Sequence, residues 1–136
     1  MSAWCRTLVS TVGLLSSCVR QPPRAPDPAA EPLRRCATAS LASASDVVSG
    51  LELRRAAEWD VYDALLRRRP AFFARLATEA ALSAVVVAER RVLGPLAALR
   101  GVGAGDVVCV RRLTAAEVYR LTGLMAPAGV EVVRLP

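Results

Sequence analysis

Lysine, asparagine, isoleucine and histidine are all absent from this chain of 136 residues. Without histidine or lysine there is no imidazole general base, no imidazole metal ligand, no Schiff-base amine and no phosphate-loop lysine. Without asparagine there is no N-glycosylation acceptor. Aromatic residues are also scarce, 4 % of the chain against 54 % apolar, so the core has to be built from Ala, Val and Leu. At about 25 cal/mol per Å² of buried apolar surface, such a core is worth less per residue than an aromatic one, and a larger complex or a homo-oligomer would supply the missing burial. No apolar run reaches the roughly 20 residues of a membrane-crossing helix, so no transmembrane span is expected.

Lysine, asparagine and isoleucine share codons that begin with A followed by A or T, and their joint loss points to a very GC-rich gene. All 18 basic residues are arginine, and codon supply accounts for that choice without selection for guanidinium chemistry. A GC-rich bacterium, a GC-rich large DNA virus and a GC-rich eukaryotic locus all fit. The 12 acidic residues leave a net charge of +6 and a pI near 10.1. That field favours RNA, acidic proteins or anionic lipid without sequence specificity.

The four cysteines, Cys5, Cys18, Cys36 and Cys109, form no C-x-x-C pair. A zinc site needs clustered ligands, usually with histidine, so no metal or other cofactor is expected. Cys109, among Val107, Val108 and Val110, reads as a small buried hydrophobe, since a catalytic thiol would want a histidine beside it.

Residues 1–45 differ from the rest. No acid occurs before Asp27, and Pro22, Pro23, Pro26, Pro28 and Pro32 argue for an extended linker. Trp4, Leu8, Val12, Leu15 and Val19 recur at spacings of three and four. With scattered arginine and serine this resembles a mitochondrial or plastid transit peptide, with Arg35-Cys36-Ala37 as the processing point. Two other readings stand beside it: a disordered arm without an address, and a lipobox ending in a lipidated Cys18. These imply, respectively, mitochondrial import, a host cytoplasmic or nuclear protein if the gene is viral, and a bacterial envelope anchor.

Residues 46–136 read as one small domain. An amphipathic helix is expected over residues 56–66, with Trp59, Tyr62 and Leu66 inward and Asp60 opposite. Arg67, Arg68 and Arg69 close it, where positive charge complements the helix dipole, and Pro70 opens the next element. A second helix, residues 71–82, carries Phe73, Leu76, Ala77 and Ala80 on one face. Residues 82–88 read as helix or strand, the three valines favouring strand. Residues 92–100 show helical spacing and residues 106–110 form the clearest strand. Thr114 and Glu117 have capping-box spacing ahead of a helix bearing Val118, Leu121, Leu124 and Met125, stopped by Pro127 and Gly129. Residues 130–135 make the last strand. The expected fold is thus α/β or α+β: a disordered head, two N-terminal helices, then a three-stranded β-α-β-α-β unit with parallel neighbours.

Gly101, Gly103 and Gly105 do not make a phosphate loop, because they precede a strand where a dinucleotide fingerprint follows one. Glu58, Asp60 and Asp63 read as a solvated helix surface. The candidate binding residues are Arg67, Arg68, Arg69, Arg90, Arg91, Arg111 and Arg112, which form a basic patch only if the fold brings them together. The expectation is a non-enzymatic interaction or assembly protein that binds a larger protein complex; the alternative is an arginine-driven RNA- or DNA-binding accessory protein.

Overall fold

The computed structural model describes residue 27 and residues 30–80 and 83–135. The stripe from Trp4 to Val19, Cys5, the lipobox ending in Cys18, Pro22, Pro23, Pro26, Pro28 and Leu82 all lie outside the described residues. The rest is a mixed α+β fold. Its elements run α1 (Glu31–Ala42), β1 (Val47–Ser49), α2 (Gly50–Arg54), α3 (Val61–Arg68), α4 (Pro70–Ala80), β2 (Val85–Ala88), β3 (Arg91–Pro95), β4 (Val107–Thr114), α5 (Ala115–Thr122) and β5 (Ala128–Arg134).

The strands form one five-stranded sheet in the order β1-β4-β5-β2-β3. Residue alternation along β5 divides its two faces. Val130 and Val132 point to the main core, where Leu53, Leu65, Phe72, Leu76 and Leu99 pack against them. Val133 and Glu131 point the other way, under α1 and α5. There Val47, Cys109 and Val133 form one small cluster with Cys36 and Ala39, and Val87, Leu113 and Val118 form another. The core is aliphatic as its composition requires, with Phe72 the single aromatic among the described buried side chains.

Several expectations about elements need correction. The segment expected to be an extended linker contains α1, because Pro32 falls in the first helical turn, where its missing N–H removes no intrahelical bond. The helix expected over residues 56–66 starts only at Val61. Ala57 has φ 59°, and Asp60 caps the new helix by accepting from the Asp63 N–H at 2.8 Å. Its buried face is therefore Val61, Ala64 and Leu65, and Trp59, expected inside, is 94 % exposed. In α4 the buried side chains are Phe72 and Leu76, while Phe73 packs half-buried on Tyr62 with ring centroids 4.9 Å apart. The side chains of Ala77 and Ala80 lie outside those described.

The ambiguous valine run is a strand, β2. Residues 92–100 are not a helix: a tight turn with Glu89 and Arg90 at φ 51° and 65° folds β3 back on β2, and a 3-10 turn, Leu96–Gly101, follows. Pro95 is tolerated because β3 is an edge strand. α5 ends at Gly123, whose φ of 73° is the left-handed helix stop, so Leu124 and Met125 leave the helix and are exposed.

The topology also departs from two parallel crossovers. β2 and β5 are parallel, but β4 and β5 are antiparallel although a helix joins them. α5 has 8 residues, a rise of about 12 Å, against about 26 Å for the 8-residue β4. It is too short to carry the chain back along the strand. Instead Ala128 pairs with Thr114, and α5 with residues 123–127 forms an excursion at the end of a wide hairpin.

Candidate protein-interaction site

That excursion builds an open cavity. Thr114 Oγ1 accepts from the Glu117 N–H at 3.4 Å and Glu117 Oε2 accepts from the Thr114 N–H at 2.9 Å, completing the expected capping box. Gly123 N–H donates to the Tyr119 carbonyl at 2.7 Å, and Leu124 N–H to Thr122 Oγ1 at 3.1 Å. Both ends of the short helix are thereby capped. Val118 faces the sheet above Gly129, where a Cβ would stand 2.7 Å from Val118 Cγ2; the missing side chain lets α5 lie close. With Val118 turned inward, Ala115, Ala116 and Tyr119 face away.

Those three residues and Met125, Ala126 and Pro127 line a cavity of about 490 Å³. Tyr119 is 56 % exposed and Met125 85 %. The edge strand β3 touches α5. Its Val92 pairs with Val87, a member of the cluster under α5, so Val92 lies on the α5 side of the sheet, and it is exposed too. Among the described lining residues the one titratable group is the Tyr119 phenol. The lining has the apolar character of a binding surface. Among the described residues no group of three or more Cys, Asp or Glu is placed to hold a metal. No described helix is long and apolar enough to cross a membrane.

The arginines take different places. Arg67 donates to Glu58 at 2.5 Å, Arg68 to the Arg55 carbonyl, and Arg69 to both oxygens of Glu52 at 2.6 and 3.1 Å. The hydrogen bond and charge of Glu52 hold the Arg69 guanidinium above its ordinary pKa. Arg112 pairs with Asp46 at 3.1 Å. Arg111 is on the opposite sheet face, 2.5 Å from Glu131 and 2.9 Å from Glu117. Arg90 and Arg91 stand exposed at the β2–β3 turn. Five of these seven arginines thus hold elements together from different faces, and the structure does not gather the seven into one patch.

Glu131 is 1 % exposed and receives Arg111 Nε and, at 3.2 Å, Arg35 Nη1 from α1. Burial opposes the charge on Arg111, but Glu131 and Glu117 outweigh it and keep its pKa above the ordinary value. Arg35, Cys36 and Ala37, read as a processing point, lie inside α1. Cys36 is disulfide-bonded to Cys109, with Cα atoms 6.0 Å apart. Cys109 is buried as expected, at 1 % exposure, but as half of a cross-link and not as a free apolar thiol.

Sequence reasoning made nothing of Tyr119 and put Met125 on the helical face, although Gly123 was the signal that the helix stops before Met125. It also missed the partner of Cys109, for which the sequence holds no local sign. Comparison with known protein families, curated proteins and solved structures finds no match to this chain.

Proposed function

We propose that this chain is a non-enzymatic interaction protein that joins a larger protein complex by docking an apolar element of its partner against α5. The observation that carries this reading is the apolar cavity between α5 and residues 125–127, open to solvent and lined by Tyr119 and Met125. A 490 Å³ hollow suits one or two large side chains, the kind of anchor that dominates binding at protein interfaces. An aliphatic core with few aromatics gives a second reason for a partner. The arginine-driven nucleic-acid alternative has less support, because five of its seven candidate residues are bound to groups of this chain.

The test is purification of the full chain from its native source beside the Met125→Asp variant. Met125 is exposed, so the variant keeps its fold, which its melting temperature checks. The expected result is a stoichiometric complex with the wild type and its loss with the variant. A wild type that runs consistently as a free monomer overturns the proposal. So does binding to RNA that survives Met125→Asp and falls steeply with salt, the signature of counterion release.

A further inference from the structure

We propose that the Cys36–Cys109 disulfide is a site of thiol–disulfide exchange at which a dithiol reductant releases α1 from the sheet. The bond joins an outer helix to the second strand of the sheet across a separation of 73 residues. Its two residues are unequally exposed: Cys36 is half-buried, whereas Cys109 is 1 % exposed. Exchange follows access, so the incoming thiolate attacks Cys36 Sγ. The Cys36–Cys109 bond breaks, a mixed disulfide forms on Cys36, and Cys109 leaves as a thiolate that takes a proton from water. The second thiol of the reductant then attacks its own sulfur in the mixed disulfide and frees Cys36. The protein gains two thiols and the dithiol becomes a cyclic disulfide, so two electrons and two protons are transferred in all.

Among the described side chains of α1, few others fasten it. It has no side-chain N-cap, and none of its described side chains is fully buried. Besides the disulfide it offers Cys36 and Ala39 to a small cluster and Arg35, itself 38 % exposed, to Glu131. A helix of 12 residues is marginal when undocked, so release also melts it. The main core contains no residue of α1 and lies across the sheet from it, which leaves the rest of the domain folded. Release uncovers Val47, Val133, Cys109 and the buried carboxylate of Glu131. The change is a local opening of one weakly held unit, and it does not depend on the α5 cavity being a docking site.

The experiment compares amide hydrogen exchange of the full oxidised chain with the same chain in dithiothreitol. The expected result is at least tenfold faster exchange over residues 31–42, with α3 and α4 unchanged. Cys36→Ser should reproduce the reduced pattern without reductant. If that variant does not fold, timed alkylation of the wild type during reduction gives a second measure: a mixed disulfide with a monothiol probe should be trapped on Cys36 and not on Cys109. Unchanged exchange in α1 after full reduction overturns the proposal, because the helix then stays docked. Loss of protection throughout α3 and α4 overturns it too, because the bond is then a staple for the whole domain. Trapping on Cys109 refutes the direction of attack.

Discussion

Two ion pairs of the second sheet face converge on Glu131. It ties α1 through Arg35 and β4 through Arg111, and Arg111 reaches on to Glu117 at the start of α5. Removing one member of a buried ion pair leaves its partner desolvated. Glu131→Ala should therefore cost about 3 kcal/mol in urea unfolding; a loss under about 0.5 kcal/mol, typical of exposed pairs, would show that the pair is effectively solvated. Glu117 gives the molecule an acid response. Burial opposes its charge, but hydrogen bonds from the Thr114 backbone and hydroxyl and the Arg111 guanidinium outweigh that and hold its carboxyl below the ordinary 4.5. A lowered folded pKa contributes stability that is fully present above 4.5 and is lost as the pH falls through the folded value. The urea midpoint should fall as the pH drops below 4.5, and Glu117→Gln should make that fall shallower.

At the scale of elements, α2 shows how closely short pieces pack. Gly50 begins α2 straight after β1, and a Cβ there would lie 1.9 Å from the Val107 carbonyl oxygen. That oxygen belongs to backbone and cannot swing aside. Gly50→Ala should cost about 2 kcal/mol or more by overpacking, read as a lower thermal midpoint; an unchanged midpoint would mean that α2 shifts freely. The sequence signals that proved reliable were chemical and local: the Thr114–Glu117 capping box, Pro70 opening α4, and the valines of β2. The misleading ones were periodicities that ignored a cap or a turn. Trp59 fits a helical stripe, yet Asp60 caps the helix behind it. Residues 92–100 have helical spacing, yet Glu89 and Arg90 turn the chain with two positive φ angles that hairpins usually assign to Gly or Asn.

For the whole molecule, the class of fold was legible and the closure of the sheet was not. The pairing of β4 with β5 depends on a helix too short to cross a strand, which is a matter of lengths and not of residue types. The α5 cavity was illegible for the same reason, since two stretches meet there only because the chain doubles back. The disulfide sets a limit on any processing of the head. A chain that began at Ala37 would lack both Arg35 and Cys36, and with them the ion pair to Glu131 and the bond to Cys109. The mature protein should retain Cys36, and its intact mass in the oxidised state should be two hydrogens below that of the reduced chain. A mature start at Ala37 with an unaltered domain would show that α1 is dispensable.

The 73 residues between Cys36 and Cys109 also have a meaning in time. At roughly 5–20 residues per second on the ribosome, Cys36 waits about 4–15 s for its partner to be made. Cys18 is already present and only 18 positions away (36 − 18). Chain entropy alone favours that nearer closure by about eightfold. The bond to Cys109 is therefore the one that chain entropy disfavours, and its selection has to come from β4 lying in the sheet beneath α1.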